Sequence, residues 1–262
     1  TTVDVQRSLS GADLTGKTDN TDRYVPKGQP PGNDAARLGE RACVAVDCYY
    51  RYGEASQHNG VRFDGARGYF TIEKPRLAAG DYHSLAELAV DDGASQPKSI
   101  VEIGWTVDRA LNGDSEPHLF VYHWVDGQET CYNGCGFVPF NEPGYSVGMK
   151  LPVSSTPRQF SILHRGSEWL MGYNGHWVGA FPDALWGDRF KVSTEAKFFG
   201  EVASSTPNPC TDMGNGQPAS SATAARVQDI GFWPGSVNPD IKITQATPNM
   251  YTVLWTSHGS FR

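Results

Sequence analysis

The chain has 262 residues, a formal net charge of −7 and a sequence pI near 5.5. That length buries a full core, and the acidic balance argues against a nucleic-acid footprint. Charged residues are 19 %, while Gly 29 and Pro 17 are plentiful, which suits many short strands joined by turns. No apolar run approaches the roughly 20 residues of a membrane span. The first residue is Thr1, not Met, so a removed leader and secretion are the expectation.

Residues 1–48 are polar and show little periodicity, and they read as a loop or a pro-segment remnant ahead of one domain over 49–262. Within them, GADLTGKT (11–18) matches the phosphate-loop pattern, but no buried strand precedes it and no helix can follow it. Cys43 and Cys48 are close enough for a local disulfide, as are Cys131 and Cys135. No His or Cys follows either pair at zinc spacing. Two disulfides imply an oxidising compartment and leave Cys210 as the odd thiol.

From residue 48 onward short alternating stretches recur: 49–55, 61–75, 82–90, 99–108 and 118–127. Residues 85–88 (LAEL) also fit one helical turn. Asp126-Gly127 marks a hairpin. Further strands are predicted over 160–164, 169–173, 177–181 and 197–202, with a closing strand over 251–261. This spacing predicts an all-β chain, a β-sandwich or a barrel, and a sandwich of two packed antiparallel sheets is the architecture expected here. GYSVG (144–148) matches a nucleophile elbow, but Pro152 stops any helix after it, so it reads as a turn. The seven histidines are scattered, and no metal or organic cofactor is called for.

Two stretches carry the chemistry. In SIVEIGWTVD (99–108), Val101, Ile103, Trp105 and Val107 share one face, and Glu102 lies on the other with Gly104 and Thr106. In KFFGEVASS (197–205), Glu201 is likewise alone in mid-strand, and Gly200 before it allows a close approach. Two glutamates meeting on one sheet face can share a proton and do acid–base work. Trp105, Tyr122, Trp124, Trp169, Tyr173 and Trp177 are candidates to line a substrate groove, or else to fill the core.

Taken together, IVEIGWTVD, LNGD (111–114), HLFVYHWVDG, CYNGCGF, WLMGYNGHWVGAFPDALW, FFGEV and DMGNGQ resemble the neprosin family in its own order. Those are secreted glutamic endopeptidases that cleave after proline and are built as β-sandwiches. The resemblance implies that Glu102 and Glu201 are the catalytic pair, that Cys131 and Cys135 are bonded, and that the partners are proline-rich proteins or peptides. The acidic charge and the lack of a long apolar run lead to the expectation of no nucleic-acid and no membrane partner. FFGE stands where the family carries Trp-Gly-Gly-Glu, so the subsites are expected to differ in shape. A lectin-like sandwich, or a glycosidase using the same carboxylates, is the alternative.

Overall fold

The computed structural model describes residues 49–57, 59–93, 98–246, 251, 253–256 and 260–261. The Cys43–Cys48 pairing, the 11–18 motif and the 1–48 segment lie outside these residues. Strands are numbered in chain order. A seven-stranded sheet runs, in spatial order, β13 (Lys242–Ala246), β1 (Tyr49–Gln57), β11 (Glu195–Ser204), β3 (His83–Asp91), β4 (Ile100–Asp108), β5 (His118–Val125) and β6 (Gln128–Glu129). An eight-stranded sheet packs on it: β14 (Trp255–Thr256), β15 (Ser260–Phe261), β12 (Val227–Trp233), β2 (Gly65–Ile72), β8 (Ser154–Arg165), β9 (Glu168–Tyr173), β10 (His176–Pro182) and β7 (Val138–Pro139). Every strand pairing among the described residues is antiparallel, as expected for a sandwich of hairpins.

The alternation read in 99–108 is what joins the sheets. Val101, Ile103, Trp105 and Val107 project between them, with Phe160, Ile162, Trp169 and Met171 from the other sheet. Each large side chain so buried contributes roughly 1.5–3 kcal/mol. A sheet with one solvated face would show alternating exposure. In β4, by contrast, all nine positions are buried. Its second face carries another cluster, with Leu85, Ala89, Ile100, Phe120, Tyr122, Trp124 and Phe199. Glu102 therefore stands in a low-dielectric setting, not on a solvated face.

Local expectations fare unevenly. Asp126 and Gly127 both take positive φ (49° and 75°) in the β5–β6 turn, as that dipeptide predicts. Residues 85–88 are strand, because β3 is held between β11 and β4. GYSVG forms turns, with Gly144 and Gly148 at positive φ. The expected closing strand is instead two short strands, β14 and β15, paired with each other.

Candidate active site

The register places the two glutamates on one face. Glu102 lies opposite Ala89 of β3 and Tyr122 of β5, and Glu201 lies opposite Leu85 of β3 and Tyr52 of β1. Leu85 in turn opposes Thr106, which shares its face with Glu102. The two carboxylates thus stand two strands apart and four residues out of step. On a flat lattice that is about 16 Å between Cα atoms, from spacings of about 4.8 and 3.3 Å. Midway between them stands Glu87, opposite Phe199 on one side and Gly104 on the other. Any Cβ at position 104 would come 2.2 Å from the Ala86 carbonyl oxygen and 2.7 Å from Glu87 Cβ, which is why the motif needs glycine there.

Each outer glutamate is held. The Trp124 indole Nε1–H donates to Glu102 Oε1 at 2.8 Å. His83 Nε2 and Glu201 Oε1 are hydrogen-bonded at 2.7 Å. His83 Nδ1 lies 4.0 Å from Asp108 Oδ2. Asp108 is itself fixed: its Oδ1 accepts from the Ala110 and Leu111 amides, both at 2.9 Å, as the cap of α1 (Arg109–Asn112). The next acid of the motif, Asp114, ties two loops together by accepting from Lys150 (2.9 Å) and His118 (3.0 Å). Those donors and the Glu116 amide hold its carboxyl well below the usual range.

Tyr132 completes this face. The Cys131–Cys135 disulfide is present, and its hairpin folds over β5. Asn133, at φ 57°, makes this possible by exchanging two 3.0 Å hydrogen bonds with the Val121 backbone. The Tyr132 ring then packs edge-on against Phe120 (5.2 Å) and Tyr122 (5.4 Å). Burial, followed by the negative charges of Asp108, Glu201, Glu87 and Glu102, pushes its phenol well above 10. It is therefore a neutral O–H facing four carboxylates. His83, Asp108 and Tyr132 did not stand out in the sequence, and Glu87 and Glu195 did so only as the next carboxylates to search. The one available signal was that His83, Glu87 and Glu102 occupy like-facing positions of alternating strands.

The far end of the same face holds a buried ion network. Lys197 is bonded to Asp91, while Lys98 Nζ lies 2.8 Å from Glu195 Oε2 and 3.5 Å from Asp91 Oδ2. Burial raises Glu195, but Lys197 and Lys98 outweigh it and hold the carboxyl down at about 2. Burial also raises Asp91, with Lys197 opposing. Lys197 lies across from Glu102 by way of Ala89, yet its charge is engaged by these acids.

The proposed groove aromatics divide. Tyr122 and Trp124 lie on the carboxylate face. Trp105, Trp169 and Tyr173 do not; they are packed between the sheets. Trp105 projects opposite to Glu102 and donates to the Thr71 carbonyl (3.0 Å), and Trp169 donates to the Phe190 carbonyl (2.9 Å). Both are satisfied core residues, and Tyr173 packs on Phe160 at 5.1 Å. Trp177 is on the outward face of the second sheet, its ring laid over Gly172. Gly200 does admit a close neighbour, but the neighbour is Met213, 3.0 Å from where a Cβ would stand. Cys210 is a free, exposed thiol. Among the described residues no group of three or more His, Cys, Asp or Glu is arranged to hold a metal ion.

The family model described as Neprosin matches residues 80–260. A scytalido-glutamic peptidase bound to a transition state analog inhibitor superposes with TM-score 0.50 at 14% identity, covering 82% of this chain and 97% of that one. SCP-B, a member of the eqolisin family in complex with the tripeptide Ala-Ile-His, gives 0.48 at 13%, over 82% and 97%. A glycoside hydrolase family 16 endo-glucanase from Bacteroides ovatus gives 0.40 at 12%, over 73% and 87%. The likeness to the scytalido-glutamic peptidase is one of fold.

Proposed function

Because this chain belongs to the neprosin family, we propose that it is a secreted glutamic endopeptidase that cleaves after proline, with Glu102 and Glu201 activating water. The observation that carries the reading is the register: the two family glutamates share one buried face, each with a dedicated hydrogen-bond partner. Water loses a proton to an ionised carboxylate as it attacks the peptide carbon. A protonated carboxyl stabilises the oxyanion and then protonates the leaving nitrogen. Tyr132, kept neutral, supplies a further donor to this charge. Like charges so placed in a low-dielectric site cannot all ionise, so the working state retains a proton and activity peaks in mild acid. The Cys131–Cys135 bond supports a secretory setting. No helix of the described residues is long and apolar enough to cross a membrane. Residues 1–48 are proposed as the pro-segment of this domain.

Digestion of a proline-rich protein in mild acid, beside a panel of polysaccharides, tests the reading. New C-termini enriched in proline are expected. Release of sugar without peptide cleavage would replace it with glycoside hydrolysis.

A further inference from the structure

The DMGNGQ stretch (212–217) takes no part in the chemistry above. It roofs a cavity of about 380 Å³ between the two sheets, on the reverse side of the strand that carries Glu201. The floor is a row of the smallest residues. Gly53 of β1 opposes Gly200 of β11, and Gly200 opposes Ala86 of β3. Successive side chains of a strand point to opposite faces, so positions 200 and 201 face away from one another. The row continues to Trp105, which with Phe70 of β2 supplies aromatic walls. Larger side chains along the row would fill this space; these leave it open.

The roof is braced. The Asp212 amide donates to the Arg76 carbonyl at 3.0 Å, and the Arg76 amide donates to Asp212 Oδ2 at 3.2 Å. Asn215 Oδ1 accepts from the Gln217 and Ala225 amides at 3.2 and 3.3 Å, and its Nδ2 donates to the Thr223 carbonyl at 2.6 Å. Gly214 and Gly216 take φ of 61° and 73°. A Cβ at 214 would stand 2.5 Å from Ala225 Cβ, and one at 216 would stand 2.9 Å from Asp212 Cγ. The roof therefore requires both glycines of the motif. Met213, half-buried, reaches from the roof to the floor. Its Sδ lies 3.0 Å from where a Cβ of Gly200 would stand and 3.2 Å from that of Gly53. An unbranched thioether is a plug that yields to an occupant.

The polar groups of the lining are already engaged. Arg226 donates from Nε to Gln228 Oε1 (3.1 Å) and from Nη2 to the Ser155 carbonyl (3.0 Å). Thr71 Oγ1 accepts from the Arg226 amide at 3.1 Å, and the Tyr251 hydroxyl donates to the Thr211 carbonyl at 2.6 Å. Burying a charge without a partner is costly, so a charged guest is disfavoured. Trp105, Phe70 and the Met213 sulfur all make favourable contacts with an aromatic ring. We propose that this cavity is a binding site for a small, uncharged aromatic molecule. Its volume falls within the roughly 300–1,000 Å³ of small-ligand pockets. The free, exposed Cys210 stands at its mouth. The site lies behind the carboxylate face, and its occupancy is independent of the peptidase reading.

Titration calorimetry with p-xylene tests the proposal. Saturable binding is expected in the unmodified chain, with a rise in melting temperature. Bound p-xylene should also slow alkylation of Cys210 by N-ethylmaleimide, read by mass spectrometry of the peptide that carries it. Ala86→Leu raises the floor into the cavity and should weaken binding at least about tenfold, since guest and side chain compete for one space. Met213→Ala removes the plug and should bind naphthalene more tightly than the unmodified chain does. If Ala86→Leu folds poorly, Met213→Ala decides, and equal naphthalene affinity in it and in the unmodified chain overturns the proposal. So does a folded chain that does not bind p-xylene, or binding that Ala86→Leu leaves unchanged. Benzoate or benzylammonium bound as tightly as p-xylene overturns the uncharged class.

Discussion

His83 Nε2 and Glu201 Oε1 are 2.7 Å apart, and both side chains are sealed from solvent. The two residues lie 118 apart in sequence, and Asp108 stands behind the imidazole at 4.0 Å. His83→Phe keeps a ring in the same place and removes the hydrogen bond that orients the Glu201 carboxyl. A lost hydrogen bond of about 1 kcal/mol should lower kcat about fivefold, with circular dichroism confirming the fold. Unchanged kcat in a folded variant would show that His83 only packs.

Replacement of either family glutamate by Gln should cost at least about 10³ in kcat, in the middle of the acid–base range. The double variant should lose little more, since the groups act as a unit. Steady-state rates on a proline-containing peptide, with circular dichroism to confirm folding, decide this. More than a tenth of turnover remaining in a folded single variant contradicts the assignment.

Tyr132→Phe removes one hydroxyl and keeps the ring against Phe120 and Tyr122. We expect about 10² lost in kcat, the scale of a donor removed from a water-excluded site, with KM little changed. Cys131→Ser with Cys135→Ser should imitate that loss, because the hairpin positions the ring. The stability lost with so short a loop is only about 2 kcal/mol. Equal kcat in Tyr132→Phe and the unmodified chain would exclude a role for the phenol.

What the sequence reveals of this site follows from what is local. The parity of IVEIGWTVD puts Glu102 and Trp105 on opposite faces, and that parity holds in the structure. A groove role for Trp105 is at odds with that same alternation; its aromatic character pointed the other way. Glu201 is legible from its isolation in KFFGEVASS. The place of Glu87 between the strands of Glu102 and Glu201 is not, because it depends on β3 lying between β4 and β11, a long-range pairing that no local pattern encodes. His83 and Asp108 are hidden for the same reason. Tyr132 sits in a turn-like CYNGC, and only the Asn133 pairing with Val121 brings its ring onto the carboxylates.

The last prediction concerns stability in acid. His123 lies on the core side of β5, its ring 4.5 Å from Phe181 and 5.5 Å from Trp186, and only 1% exposed. Thr130 Oγ1 meets its Nδ1 at 3.0 Å. Burial lowers its pKa from 6.5 to about 4. The sign follows from proton counting. Between those two values the unfolded chain binds the proton and the folded chain does not, so stability falls as pH drops. The loss begins near pH 6.5, is complete near pH 4, and amounts to about 3 kcal/mol at 1.36 kcal/mol per unit. Glu195 adds to it lower down: Lys197 and Lys98 hold its carboxyl at about 2 against a usual 4.5, so its stabilising contribution is lost from about pH 4.5 to 2. His123→Phe keeps a ring against Phe181 and removes the first titration. Urea melts at pH 7 and pH 4.5 should show the unmodified chain losing markedly more stability between the two than the variant does. An equal loss in both would show that His123 charges without cost in the fold.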